Sequence, residues 1–220
     1  RFTSCRNVRK DREGTIWLLA DDAVYQYNRS LNGFVQFPMP DGKGAFRDVI
    51  VDTDGNYWFS GFIGTISFYD TKRKKFTIPA DSATVADIIK SNPLFLDTIN
   101  GNVWIGTFSH GVYKYHLKTK KFTLYTESPE ARHYTAFNLV HDITQDKTGA
   151  IWVATHSGGV LKYVDGLPYG KSFEVYSMSE GLSSNNIYAV KAIDSNLWVI
   201  SGNHLFSINI YTNKITRPVS

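Results

Sequence analysis

The stretch Asp146-Lys147-Thr148-Gly149-Ala150-Ile151-Trp152-Val153-Ala154-Thr155-His156-Ser157-Gly158-Gly159-Val160-Leu161-Lys162-Tyr163 holds two short apolar runs separated by a glycine-bearing turn. Runs of β-branched and aromatic residues of this length, bounded by Asp, Gly and Ser, read as neighbouring strands. Working outward from it, the same arrangement recurs around every tryptophan. These are Trp17, Trp58, Trp104, Trp152 and Trp198, spaced 41, 46, 48 and 46 residues apart. A glycine precedes the tryptophan by three residues in four copies, as Gly14, Gly55, Gly101 and Gly149. An aspartate precedes that glycine by three in three copies, as Asp11, Asp52 and Asp146. The third copy carries Asp97 one place further back, and the fifth is shortened to Asp194-Ser195-Asn196-Leu197-Trp198.

Downstream, a glycine-bearing turn follows in three copies, at Gly64, Gly111 and Gly158-Gly159, and then an apolar residue recurs with an aromatic three later. The pairs are Val24/Tyr27, Ile66/Tyr69, Val112/Tyr115 and Val160/Tyr163, with Leu205/Ile208 as the degenerate last copy. Closing aromatics follow at Phe34/Phe37, Phe76, Phe122/Tyr125 and Phe173/Tyr176, with Ile215 in their place at the end. Four strands of about 5–6 residues plus turns fill such a unit. The tryptophan strand is apolar on both faces, Ile16 and Leu18 pointing one way and Trp17 and Leu19 the other, so it needs cover on both sides.

Similar sheets that are apolar on both faces bury them by stacking radially about an axis. The expected fold is therefore all-β, a β-propeller of about five four-stranded blades. The expected organisation is a single propeller region over 1–220 with repeats 1–40, 41–80, 81–126, 127–177 and 178–220. Val8 begins the first unit and Ile215 ends the fifth, with no blade shared between the chain ends. That predicts an open arc whose end sheets pair with further blades or a second copy, a closed five-bladed ring being the alternative.

Composition removes other classes. With 42% hydrophobic, 15% aromatic and 20% charged residues the chain is too apolar for disorder. No apolar run approaches the roughly 20 residues of a membrane helix. A single cysteine, Cys5, builds neither an internal disulfide nor a cysteine zinc site. The chain opens at Arg1 without a basic stretch and apolar segment, so any signal peptide is expected to have been removed.

The pattern Asp-x-x-Gly-x-apolar-Trp-apolar-small-Thr, then a Gly-Gly turn, Tyr and Phe-x-x-Tyr, resembles the two-component regulator propeller repeat. Asp146 to Tyr163 is close to that consensus, and Glu180-Gly181-Leu182-Ser183-Ser184-Asn185-Asn186-Ile187 is similar to the family's link between repeats. The resemblance implies an extracytoplasmic, periplasmic sensor region of a bacterial hybrid two-component protein, with rings of about seven blades in the whole molecule. It also implies a membrane helix, a histidine kinase and a receiver serving a phosphorelay elsewhere in the protein. The fragment itself is then a non-enzymatic sensor of oligosaccharides from polysaccharide breakdown, with its remaining blades, the kinase parts and a homodimer mate as partners.

Loops on a rigid scaffold are where recognition is expected. His110, His156 and His204 fall in the turn after the tryptophan strand. The longest inter-unit loop, Thr126 to Asn138, carries Arg132, His133 and Tyr134 and has room for a helical turn after Pro129. With Arg47 before the second unit and Asn186 in the link, the candidate ligand set is Arg47, His110, Arg132, His133, Tyr134, His156 and Asn186. Arginine, aromatics and Asn suit an anionic sugar or its oligomers; the competing reading is a solvated loop with Tyr134 and Phe137 tucked under a neighbouring blade. Uneven tryptophan spacing marks the insertions before Trp104, Trp152 and Trp198 as the first places to look.

No metal and no cofactor are expected, since zinc needs ligands converging on one ion and the turn histidines His110, His156 and His204 lie one per blade. Asp52-Thr53-Asp54-Gly55 opens like a calcium loop but lacks the rest of the pattern, so Asp11, Asp52 and Asp146 read as turn-fixing acceptors. Lys72-Arg73-Lys74-Lys75 and Lys118-Thr119-Lys120-Lys121 hold 7 of the 24 basic residues, at one hairpin position of the repeat. Charges there guard an edge strand, and a net +4 spread over separate hairpins gives no nucleic-acid stripe. The recurring acids sit one per blade, so no catalytic carboxylate pair is formed. A protein-interaction scaffold is the second reading, and a propeller lyase or glycosidase the third.

Overall fold

The computed structural model describes residues 4–40, 44–63, 66–77, 91–108, 110–125, 139–167 and 171–218. These form five four-stranded antiparallel sheets, each made of consecutive strands. The first is β1 (Cys5–Lys10), β2 (Ile16–Ala20), β3 (Val24–Asn28) and β4 (Gly33–Phe37). The second is β5 (Gly44–Val51), β6 (Tyr57–Ile63), β7 (Ser67–Asp70) and β8 (Lys75–Thr77), and the third is β9 (Ser91–Asp97), β10 (Asn102–Thr107), β11 (Val112–His116) and β12 (Lys121–Tyr125). The fourth is β13 (Val140–Gln145), β14 (Ile151–Thr155), β15 (Val160–Tyr163) and β16 (Phe173–Tyr176). The fifth is β17 (Ile187–Ile193), β18 (Asn196–Ser201), β19 (His204–Asn209) and β20 (Ile215–Thr216). This is the all-β, blade-by-blade architecture of a propeller that the tryptophan repeat predicts. Chain contacts divide it into two compact units, Arg1–Ile105 with Tyr115–Phe122, and Gly106–Lys114 with Thr123–Ser220.

Burial falls across each sheet. β10 and β14 are buried at every residue, whereas β4 and β12 are mostly exposed or half-buried. A strand hydrogen-bonded on both edges and covered on both faces has no polar side to offer, which is why its sequence is continuously apolar. Trp17, Trp58, Trp104 and Trp152 are 0% exposed.

A buried indole needs a partner for its N–H, and the repeat supplies one. Asp11 accepts the backbone N–H of Glu13 and Thr15 through Oδ1, and Trp17 Nε1 donates to its Oδ2 at 2.8 Å. Asp52 does the same for Asp54, Asn56 and Trp58 Nε1 (2.9 Å), and Asp146 for Thr148, Ala150 and Trp152 Nε1 (2.7 Å). One carboxylate thus closes the turn and anchors the core residue six positions on. The glycine between them sits at φ 84°, 82° and 92° in these copies, a left-handed conformation that a side chain would strain. Asp97 instead accepts from the backbone of Asn100 and the side chains of Asn100 and Asn102.

The fifth sheet departs from the rest. Leu197, Val199, Phe206 and Ile208 are buried with Trp152, Ala154, Val160 and Tyr176 of the fourth. On the opposite face Trp198 is only half-buried, and Ile193, Ile200 and Leu205 are 51%, 43% and 47% exposed.

Candidate functional site

The first strand of a sheet carries a one-residue bulge in four copies. In β1 the pairing skips from Cys5↔Ala20 to Asn7↔Leu19, leaving Arg6 as the extra residue. In β5 the extra residue is Arg47, in β13 His141 and in β17 Tyr188. A bulge bends the strand and re-aims a side chain, and bulges concentrate beside functional sites. Aligned on Val8, Val49, Ile143 and Val190, these four residues occupy one position of the repeat.

In the first, second and fourth sheets the residue after the bulge ties its sheet to the next. Asn7 Nδ2 donates to Arg47 O at 2.9 Å. Asp48 accepts from Val49 N (2.9 Å), from Leu94 N of the third sheet (3.0 Å), and from Arg9 Nε and Nη2 of the first (2.7 and 3.1 Å). Asp142 accepts from Ile143 N (2.9 Å) and from Val190 N of the fifth sheet (3.1 Å). Burial pushes the Asp48 carboxyl above its ordinary range, opposed by the Arg9 guanidinium and the backbone donors.

In the second compact unit the bulge residues gather with two of the sequence-predicted ones. The His141 and Tyr188 rings are parallel, 3° apart in plane with centroids at 5.8 Å. His156 meets His141 edge to face at 5.5 Å. Asn186 Nδ2 donates to Tyr188 Oη at 3.0 Å, while Asn186 Oδ1 is buried without a hydrogen-bond partner. Turning the amide over exchanges its two polar atoms and leaves one of them in the same position. His141 Nδ1 lies 2.7 Å from Ile187 O, a carbonyl that can only accept, so Nδ1 is the donor of this bond. Tyr188 is 52% exposed and His156 is exposed.

The link that presents Asn186 is rigid. Ser177 and Glu180 form a capping box around the single turn Met178–Glu180, and Gly181 at φ 114° ends it. Leu182 is buried, Ser183 Oγ donates to Ser201 O (2.8 Å), and Ser184 N donates to Ser201 Oγ (2.9 Å). Gly159 N donates to Asn185 O (2.9 Å) and Gly202 N to Asn186 O (3.0 Å), so the link is strapped to both flanking sheets. A Cβ on Gly159 would collide with Tyr176 O, which fixes glycine at that turn.

His110 sits in the corresponding turn of the third sheet, its N–H bonded to Thr107 Oγ at 2.9 Å. Arg47 belongs to the first unit, where Arg6 and Asp21 act on it electrostatically. Burial and the Arg6 charge lower its guanidinium pKa. Arg6 is itself bonded to Asp21 at 2.6 and 2.7 Å. Arg132, His133 and Tyr134, with Gly64, lie outside the described residues. The structure therefore brings His156 and Asn186 into one cluster through His141 and Tyr188, which sequence reasoning missed.

A second polar cluster is internally bonded. Lys114 Nζ donates to Tyr163 Oη (2.7 Å), which lies 2.9 Å from Tyr125 Oη and 2.7 Å from Asp165 Oδ1, and burial pushes the Tyr163 hydroxyl pKa up. No group of three metal-ligating side chains occurs among the described residues.

No family model and no curated protein matches the sequence. Solved structures do. The extracellular domain assigned to a hybrid two-component system of B. thetaiotaomicron superposes with a TM-score of 0.76 at 19% identity, over 98% of this chain and 29% of that one. A second such domain from the same organism gives 0.72 at 23% identity, over 94% and 27%. A catalytically inactive virginiamycin B lyase from Staphylococcus aureus, solved with quinupristin, gives 0.71 at 12% identity, over 97% and 69%. The chain spans under a third of the length of the two-component extracellular domains, and what it shares with all three structures is the β-propeller fold.

Proposed function

We propose that the chain is the ligand-sensing propeller fragment of a bacterial hybrid two-component sensor, detecting oligosaccharides released by polysaccharide breakdown. The observation that carries this reading is the half-exposed set Tyr188, His141, His156 and Asn186, held on bulges and a rigid link. Preorganised aromatic and amide groups of this kind suit a polyhydroxylated ligand. The likeness to extracellular domains of two-component proteins favours a periplasmic, non-enzymatic role. No helix among the described residues is long and apolar enough to cross a membrane. On this reading the repeats 1–40 to 178–220 are part of a longer propeller region, as an open arc completed by further blades or a homodimer mate, and the histidine kinase and phosphorelay parts lie elsewhere in the protein. Ligand binding would signal by favouring one of two arrangements, which requires a difference in affinity between them.

Calorimetry against a panel of neutral and acidic oligosaccharides tests it. Saturable binding with the sugar recovered intact is the expected result. Turnover would make the chain a lyase or glycosidase instead. A protein-interaction scaffold is the second reading, favoured by the exposed Ile193, Ile200 and Leu205 around Trp198. It gains if every sugar is silent and a purified partner saturates this face.

A further inference from the structure

We infer that Tyr188, His141 and Asn186 form a subsite for one neutral sugar ring, with Tyr188 as its stacking platform. The inference rests on the oligosaccharide reading above and narrows it. Three observations lead to it. The Tyr188 ring is parallel to His141 and yet 52% exposed, so one aromatic pair offers an uncovered π surface already fixed in orientation. The negative face of such a ring attracts the polarised C–H bonds on the apolar side of a pyranose, without needing charge. Asn186 holds the Tyr188 hydroxyl at 3.0 Å, so the platform cannot rotate freely.

Among Tyr188, His141, His156 and Asn186 there is no Lys, Arg, Asp or Glu, and one polar atom lacks a partner. One amide atom of Asn186 is buried with no partner, a cost of desolvation that a sugar hydroxyl, both donor and acceptor, would relieve. His141 Nδ1 donates to Ile187 O, which fixes the orientation of its ring. A hydroxyl can donate to or accept from amide, imidazole and phenol groups alike, whereas a carboxylate or sulfate would find no Lys or Arg among these four residues. That choice parts from the anionic sugar expected from Arg132 and Arg47 in the sequence.

Both residues stand at the bulge position of the repeat, and the same position holds Arg6 and Arg47 in the first two sheets. A position that changes chemistry from sheet to sheet, while Asn7, Asp48 and Asp142 after it tie three of the four sheets to the next, is where specificity can vary without cost to the scaffold.

The test is isothermal titration of the whole chain with maltotetraose, cellotetraose, mannotetraose, xylotetraose and tetragalacturonate, repeated with Tyr188→Ala, Tyr188→Phe and Asn186→Ala. At least one neutral tetrasaccharide should bind. Tyr188→Ala should weaken it about tenfold, Asn186→Ala several-fold, and Tyr188→Phe, which keeps the ring, less than about threefold. Near-ultraviolet circular dichroism of each variant verifies its fold. Unchanged affinity in Tyr188→Ala, or binding confined to tetragalacturonate, overturns the subsite while leaving the oligosaccharide sensor standing. Silence of the unmodified chain toward the whole panel overturns both.

Discussion

β5 and β13 carry the same device, a one-residue bulge followed by an aspartate bonded to the backbone of the following sheet, yet the two aspartates live in different company. Asp48 is 1% exposed and takes four hydrogen bonds, two of them from Arg9 of the first sheet, so one carboxylate joins three sheets. Asp142 is only half-buried, and it accepts from Ile143 N and from Val190 N of the fifth sheet. The bulge residues differ in the same direction. Arg47 lies in a field of charges with Arg6 and Asp21, while His141 stacks on a half-exposed Tyr188. The difference teaches that the aspartate is scaffold and the residue before it is free to become recognition.

The largest effect should come from Asp48→Ala. It leaves two backbone donors unpaired in the interior and takes the partner from the partly exposed Arg9 guanidinium, and a loss of about 3–5 kcal/mol by urea denaturation is expected. Asp142→Ala removes an acceptor at a half-buried site, where water replaces part of what is lost, and should cost less, about 2 kcal/mol. Equal losses at the two sites would remove the distinction. Arg9→Ala should cost about 1–2 kcal/mol, because its side chain is 43% exposed and water replaces part of what it gives.

pH tests the Asp48 site more finely. Burial raises the Asp48 carboxyl above its unfolded value, so the native state holds that proton more tightly than the unfolded chain does. Its contribution is complete below the unfolded pKa of about 4 and is lost as pH rises through the folded value. Asp48→Asn cannot titrate, so the stability difference between the unmodified chain and this variant should shift against the unmodified chain with rising pH, as measured by denaturation midpoints from pH 4 upward. The smallest stability effects belong to the recognition residues. Tyr188→Ala and His156→Ala, both exposed, should change stability by less than about 0.5 kcal/mol.

The repeat was legible because its signals are local. Trp17 to Trp152, the aspartates six before three of them and the positive-φ glycines all lie within one turn and one strand, so spacing alone exposes them. The bond from the aspartate to the indole N–H escaped, although the constant interval of six residues was its trace. His141 and Tyr188 escaped for a different reason. A bulge is a property of pairing between two strands, and nothing in Val140-His141-Asp142 announces that one residue will be skipped. Aligning the units on Val8, Val49, Ile143 and Val190 would have shown Arg6, Arg47, His141 and Tyr188 in one column, two residues earlier. Trp198 fits the repeat in sequence, yet it is only half-buried, because burial depends on what covers the sheet and not on the strand alone.

The most direct test of the division between scaffold and recognition is a paired measurement on Arg9→Ala and Tyr188→Ala, each assayed for its urea midpoint and for its affinity toward the same neutral tetrasaccharide. Arg9→Ala should lose stability and keep its affinity within about twofold, and Tyr188→Ala should keep its midpoint and bind about tenfold more weakly. A Tyr188→Ala chain that unfolds as early as Arg9→Ala, or that binds sugar as tightly as the unmodified chain, would contradict it.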